Sequence, residues 1–354
     1  MKKTLFAIFA IASLAACSKN QVLETIAPEA ISFNSGYVDN VTRSIDYTLN
    51  TSNLNSFQVY GCVKFTEDAS TTNVVNLYNG VVVTKGAAAS NAVISNDWWY
   101  DGAYTQYWIE GNAYEFAAIV NGTAGDFNTD NNNANNMPST ISYNATTQND
   151  LLYATHTVGS YVKGVGSDVV SFTFNHLLAK AQFTFVNEII TNTSTNKYTY
   201  KVTDIKITNA YMNGTYTINP GTWEVITTGT NPRGEVEFGN ITNATRKTDD
   251  TDAIQVGAVG ATASATSHNS MLLIPHKYDG TDKMTISYTI ETLLNNVVID
   301  RDQNLTITPD VVELVAGHAY NFVFKKGNPG DPIKFQLEKV NDWDPATGGT
   351  DTNI

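Results

Sequence analysis

Apolar residues in this chain recur at every second position, and that spacing dictates extended strands rather than helices. Ile45, Tyr47 and Leu49 alternate with polar residues, and so do Phe57, Val59, Val63 and Phe65, with Gly61 between them. The pattern returns at Phe172 and Phe174, at Ala181, Phe183 and Phe185, and at Met284, Ile286, Tyr288 and Ile290. It closes with Tyr320, Phe322 and Phe324, then Ile333, Phe335 and Leu337. A period of two turns one face of each strand inward and the other toward water, as antiparallel sheets allow. No segment carries a long, capped helical stripe. Many such strands, separated by Asn- and Gly-rich turns, predict an all-β chain of sandwiches or barrels.

The residue types fit that reading. Charged residues make up only 16%, while Tyr and Phe number 18 and 15. Tyr, Phe, Thr and Val suit a pleated, half-buried surface, and Asn, Gly and Ser supply the turns. Polar or small-residue stretches at 126–138, 191–196, 245–252 and 257–269 read as loops. The first, Asp126 to Pro138, has almost no apolar content and is expected to be a solvated excursion. Glycines interrupt the pattern between Lys163 and Ser167. A break there divides the chain into the two domains its length suggests, 44–167 and 168–354. No tandem repeat of fixed period is present.

The N-terminus has its own chemistry. Lys2 and Lys3 precede an apolar run from Leu5 to Ala16. A membrane-spanning helix needs about 20 apolar residues, so this shorter run reads as a signal peptide over residues 1–16. Its end, Leu14-Ala15-Ala16-Cys17, resembles the lipobox of bacterial lipoproteins. That resemblance implies cleavage before Cys17 and acylation of its thiol and new amine, a lipid anchor for the precursor. One acyl chain holds a protein only marginally, hence several. Ser18 follows the cysteine where Asp would favour inner-membrane retention, so the outer membrane is the expected destination. With Cys17 acylated, Cys62 has no intramolecular disulfide partner and reads as a thiol packed within a strand.

Charge and motif content exclude several function classes. A formal net charge of −13 argues against nucleic acid as a partner, where a basic patch is expected. Asp126, Asn128, Asp130 and Asn132 alternate like calcium ligands, but an EF-hand loop also needs Gly at its sixth position and Glu at its twelfth, where Asn131 and Met137 stand. The five histidines are scattered, and with Cys62 alone there is no Cys/His zinc cluster. No nucleophile elbow of the Gly-x-Ser-x-Gly type occurs. Gly164-Val-Gly166 lacks the third glycine and the strand-to-helix setting of a dinucleotide loop. The residues give no support to an enzyme, a cofactor or a metal centre. The aromatic group of Trp98, Trp99, Tyr100, Tyr104, Tyr107 and Trp108 fits core packing, with a sugar-stacking platform on Trp98, Trp99 or Trp108 as the alternative. On a strand, Trp98 and Trp99 point to opposite faces, so one of them would be exposed.

Several stretches, taken in order, resemble the fimbrillin-like proteins that build type V pili. After the lipobox come Trp108-Ile-Glu-Gly-Asn-Ala-Tyr-Glu-Phe116, Phe172-Thr-Phe-Asn-His-Leu-Leu-Ala-Lys-Ala181, Leu273-Ile-Pro275 and Gly317-His-Ala-Tyr-Asn-Phe-Val-Phe324. Ile333-Lys-Phe335 and Val340-Asn-Asp-Trp343 complete the series. Ala181 departs from the family pattern, where Val is usual. The resemblance implies two Greek-key β-sandwich domains with transthyretin-like strand arrangements, and a subunit that polymerises with other pilus subunits at the cell surface. It further implies an arginine-specific cut that frees an N-terminal strand, whose groove then accepts a strand from another subunit by β-augmentation. Within residues 17–43, Ile31-Ser-Phe-Asn-Ser-Gly-Tyr37 is the candidate removable strand, and Arg43-Ser44 the candidate cleavage site. The other arginines, Arg233, Arg246 and Arg301, lie well inside the chain. Ile333, Phe335 and Leu337, with Trp343 after them, form the candidate donor or simply the last strand. A stalk or tip subunit is the expected role, and a surface glycan-binding lipoprotein is the alternative.

Overall fold

The computed structural model describes residues 28–38, 49, 53–68, 71–130, 133–165, 168–188, 195, 198–229, 232–244, 255–256 and 271–342. Cys17, Arg43, Ser44 and Trp343 lie outside them, as do the polar stretches 245–252 and 257–269 and most of 191–196. The described residues are strands joined by turns, with two single-turn 3₁₀ segments at Gly102–Tyr104 and Ala145–Thr147. The all-β expectation is met. No helix among the described residues is long and apolar enough to cross a membrane.

In chain order the first strands are β1 (Ser32–Val38), β2 (Ser56–Asp68), β3 (Thr71–Lys85), β4 (Val93–Ser95), β5 (Trp98–Tyr100) and β6 (Ala113–Val120). Then come β7 (Thr123–Ala124), β8 (Phe127–Asp130), β9 (Asn133–Pro138), β10 (Thr140–Asn144), β11 (Leu152–Val158) and β12 (Val169–His176). An eight-stranded sheet takes the order β1-β12-β11-β6-β2-β3-β5-β4. Its two ends approach each other, because β1 also lies against β4 and β5. The inward face packs Phe57, Val59, Tyr114, Phe116, Phe172 and Phe174 into one core. Gly61 sits where alternation calls for a side chain, and a Cβ there would come within 2.6 Å of the Phe116 ring.

The second half holds β13 (Ala179–Asn187), β14 (Tyr198–Tyr211), β15 (Asn213–Thr217), β16 (Thr222–Val225), β17 (Arg233–Ala244), β18 (Gln255–Val256) and β19 (Met271–Leu273). It continues through β20 (Lys277–Tyr278), β21 (Ile286–Leu294), β22 (Val297–Ile307), β23 (Val312–Glu313), β24 (His318–Lys326) and β25 (Lys334–Asp342). Two sheets, β18-β13-β24-β25 with β19 beside β13, and β17-β14-β21-β22, enclose a core of Phe183, Phe185, Phe322 and Phe324 from one and Val202, Ile207, Phe238 and Ile286 from the other. That is sandwich packing. The pairing passes from the first sheet to the second after His176 rather than at residue 167, since β12 belongs to the eight-stranded sheet. We propose that the units divide at Leu177 and Leu178.

A small sheet, β16-β15-β10-β7, crosses that division. Asn144 pairs with Asn213 and Tyr143 with Gly214. Gln148 clasps the backbone of Leu272, accepting from its N–H at 2.8 Å and donating to its carbonyl at 2.9 Å. Beneath this sheet Ile119, Ile141 and Leu151 share a third core with Leu272, Ile274 and Ala319. The stretch 126–138 is only in part the expected solvated excursion: Asp126, Phe127 and Asn128 are exposed. Its β8 and β9 form a hairpin whose Asn135 and Met137 are buried, while Asn136 donates to Asn76 Oδ1 and to the Tyr78 carbonyl, both at 2.8 Å. Amide side chains bond backbone groups on both strands here, Asn136 that of Tyr78 on β3 and Asn76 that of Asn136 on β9, which compensates for the missing apolar content.

Candidate strand-exchange site

The segment before β2 is built into the first core rather than laid upon it. Ile31 is fully buried and Phe33 is 1% exposed. The Phe33 ring meets Tyr78 edge-on at 5.0 Å and Phe116 at 5.7 Å, lies tilted to Tyr100 at 5.6 Å, and stacks near Phe172 at 6.1 Å. Its seat is therefore walled by β3, β5, β6 and β12. Emptying an aromatic seat of this kind costs on the order of 3–5 kcal/mol.

Backbone bonds hold the segment on two sides. Along one, β1 runs parallel to β12, from Ser32 opposite Val169 to Val38 opposite Phe174, with an irregularity between Ser35 and Tyr37. Along the other, Ile31 N–H donates to the Gln106 carbonyl at 2.8 Å and Trp108 N–H to the Glu29 carbonyl at 3.0 Å. The segment thus fills a seam between β12 and the turn that follows β5. The fit is imperfect: Asn34 Oδ1 and Ser35 Oγ are buried without a hydrogen-bond partner. At the root of the segment the Glu29 carboxyl is pushed above its ordinary range by burial and by the neighbouring Asp168 carboxylate. Asp168 in turn accepts from Tyr161 Oη at 2.9 Å, and its carbonyl accepts from Trp108 Nε1 at 3.0 Å.

Downstream of the seam the chain is tied again. Leu49 N–H donates to Asp150 Oδ2 at 2.8 Å, and that oxygen lies 2.9 Å from His176 Nδ1, both side chains being almost wholly buried. His176 belongs to a motif singled out in the sequence. Asp150 was missed, because a lone carboxylate in a polar stretch carries no pattern until the fold brings its partners to it.

Towards the other end of the chain, β25 is the edge of its sheet among the described residues and pairs antiparallel with β24. Ile333, Phe335 and Leu337 are half-buried against the second core, with the Phe335 ring 5.5 Å from Phe324 and 6.0 Å from Phe322. An edge strand with half-covered anchors is the kind that detaches at least cost.

The fimbrillin-like family model matches residues 42–343 of this sequence. The chain belongs to the fimbrillin-like family. A fimbrial protein from Bacteroides vulgatus is similar in fold, with a TM-score of 0.51 at 16% identity over 88% of this chain and 99% of that one. A candidate cell adhesion protein from Bacteroides ovatus gives 0.45 at 17% identity, over 89% of this chain and 97% of that one. No curated protein matches the sequence. Family membership makes this a structural, non-enzymatic protein. The fimbrillin-like match opens at residue 42, after β1 and one residue before Arg43.

The tryptophans of this fimbrillin-like chain divide by face. Trp98 is buried beside Phe57 at 5.0 Å, and Trp108 is buried with its ring stacked 4.5 Å from Tyr161. Neither ring has a face left for a sugar. Trp99, half-buried, points to the other side of β5 and lines a shallow cavity of about 370 Å³ together with Asn79, Val82, Thr84, Asp101 and the exposed Tyr104.

Proposed function

We propose that this protein is an adhesive pilus subunit, a stalk or tip component of a cell-surface appendage, exported as a lipoprotein on Cys17 and activated by cleavage between Arg43 and Ser44. The cut frees β1, and β25 of another subunit takes its place, so that the partner is a further pilus subunit. The observation that supports this reading is the seat of Phe33, a buried anchor contributed by a segment whose covalent link to β2 runs through residues 39–55. Sever that connection and the plug is held by non-covalent contacts alone. Until then its effective concentration at the groove excludes any competitor. A sheet left without this strand exposes apolar surface and unpaired backbone, which drives strand addition.

The test uses a lipid-free form beginning at Ser18, digested briefly with an arginine-specific protease. Unheated and boiled samples are compared on a denaturing gel, with N-terminal sequencing of the products. A heat-sensitive ladder of subunits beginning at Ser44 is expected. A stable monomer beginning at Ser44 would remove the exchange mechanism.

The Trp99 cavity supports a second reading, a surface lipoprotein that binds glycan. An aromatic face, the Asp101 carboxylate, the Asn79 amide and the Thr84 hydroxyl are the groups that sugar rings use, and the volume lies within the range of small-ligand sites. Retention on polysaccharide resin that disappears in Trp99→Ala would establish it. Equal retention of both forms would remove it.

A further inference from the structure

The stretch between β5 and β6 and the stretch between β11 and β12 lie against each other where the chain enters the first sheet. Gly111 N–H donates to the Tyr161 carbonyl and Tyr161 N–H to the Asn112 carbonyl, both at 2.9 Å. Glu110 accepts from Lys163 N–H at 3.3 Å. The segment leading into β1 joins them: Ala30 bridges Tyr107, and Trp108 N–H donates to the Glu29 carbonyl. Four large apolar side chains on these two stretches face solvent. Tyr107, Ile109 and Val162 are about half exposed, and Val165 is 71% exposed. Single exposed apolar residues are ordinary, whereas several gathered at one end of a domain mark a contact surface. We propose that this patch rests on the lipid surface that holds the acylated Cys17, so that the precursor is seated on its membrane by one end of its first domain. This inference rests on the lipoprotein reading above and adds to it an orientation.

The tether identifies the occupant. Pro28, the first described residue, is exposed and stands eleven positions after Cys17. A chain of that length spans at most about 40 Å, at roughly 3.3–3.6 Å per residue. The patch borders the point where that chain enters the fold, so acylation confines this end of the domain near the headgroups. Confinement matters because the patch is small. Four side chains do not hold a free protein on a membrane, since even one myristoyl chain does so only marginally. A short tether raises the local concentration of the surface to the millimolar range, where a weak contact is populated. Aliphatic side chains with one tyrosine suit the headgroup boundary, where an apolar ring sinks while its hydroxyl stays wet. The rim charges select the lipid. Glu29, Glu110 and Asp168 outnumber Lys163 around the patch, so the contact is apolar rather than electrostatic and favours zwitterionic over anionic headgroups.

The contact is read by quenching in vesicles. Full-length precursor carrying Ser160→Cys, an exposed position beside the patch, is labelled there with a fluorescent dye. Cys62 is buried and out of reach of the dye. The protein is placed in phosphatidylcholine vesicles that contain lipid spin-labelled near the headgroup, and the acyl content of residue 17 is read by mass in the same sample. Quenching is expected. Ile109→Asp with Val165→Asp, both on the surface, should lower the ratio of docked to undocked protein at least tenfold, about the loss expected for two aliphatic contacts. Exchanging part of the phosphatidylcholine for phosphatidylglycerol should lower it too. Acylated precursor whose label stays unquenched would overturn the docking and leave the lipoprotein reading standing, whereas residue 17 without acyl chains removes both. Quenching that survives the double substitution would assign the contact to other residues and overturn the patch. A label shielded only as protein concentration rises, with or without vesicles, would make a second copy the occupant and overturn it equally.

Discussion

The Tyr100 phenol donates a 2.6 Å hydrogen bond to the Ile31 carbonyl, fastening the root of the first strand to β5 at the other end of the sheet. Tyr78 Oη lies 3.3 Å from the same phenol oxygen, so two buried hydroxyls converge beside the Phe33 seat. Tyr100→Phe keeps the ring and removes the donor. Its expected cost is about 1 kcal/mol of precursor stability, the usual worth of one net hydrogen bond. The more telling readout is the interval between cleavage and loss of the N-terminal peptide, followed by size exclusion. It should shorten severalfold, and an unchanged interval would show that this bond does not hold the strand.

Glu29 makes that hold sensitive to pH. Burial and the Asp168 carboxylate raise its folded pKa, so the folded state binds its proton more tightly than the free peptide does. Seating is therefore favoured while Glu29 is protonated, and that contribution disappears as pH rises through the raised value. Cleaved protein should keep its N-terminal peptide longer at pH 5 than at pH 7.5. Glu29→Gln should hold it equally long at both. A wild-type release rate indifferent to pH would count against the carboxyl pair as a determinant.

Asp282 titrates in the opposite sense. Burial would raise its carboxyl, but hydrogen bonds from Arg233, Tyr211 and His276 outweigh that and hold it at about 2. Tyr211 Oη and His276 Nε2 lie 2.8 and 3.0 Å from Oδ2, and Arg233 reaches Oδ1 while lying over the Tyr211 ring. A depressed folded pKa contributes stability above the ordinary carboxylate value of 3.8, and that stability is lost as pH falls toward about 2. Allowing for partial exposure, the contribution is on the order of 1–2 kcal/mol. Asp282→Asn should lower the unfolding free energy at pH 7 by that amount. The difference from wild type should vanish near pH 2, as denaturant titrations at both pH values would show.

The tryptophans separate stability from recognition. Trp108→Ala opens a cavity beside Tyr161 and Tyr114 and should cost about 3–5 kcal/mol, visible as a lower melting temperature. Trp99→Ala removes a half-buried ring from the outer face and should cost markedly less. Equal losses from the two substitutions would contradict the division of faces.

Much of this architecture is legible because alternation is a local property. Phe172 and Phe174, Ala181 to Phe185, and Tyr320 to Phe324 all show a two-residue period, and all these anchors are buried. Pairing partners are not local. Nothing in the residues of β1 shows that it runs parallel to β12, or that β13 runs parallel to β24, since each pairing joins segments more than a hundred residues apart. The buried end of the Asn-rich hairpin, Asn135 to Pro138, departs from the expectation for a different reason. Polar residues signal solvent only when their amides are not spent on backbone, and Asn136 spends its own on β3. Of the candidate exchange site, the Ile31 and Phe33 spacing was visible, but the walls supplied by Tyr78, Tyr100 and Phe116 come from strands with no shared motif. The assignment of Trp98 and Trp99 to opposite faces followed from strand geometry alone, whereas the burial of Trp108 depended on Tyr161 arriving from fifty-three residues downstream.

The pairing of Asn144 with Asn213, together with the Gln148 clasp on Leu272, has a mechanical consequence. The two halves of the subunit cannot rock against each other without breaking backbone ladders and opening the apolar layer beneath them. Each subunit is then a stiff segment with no internal hinge at its waist. In a filament assembled from such segments by the proposed strand exchange, bending and recoil would concentrate at the joints between subunits, where a single inserted strand would carry the load.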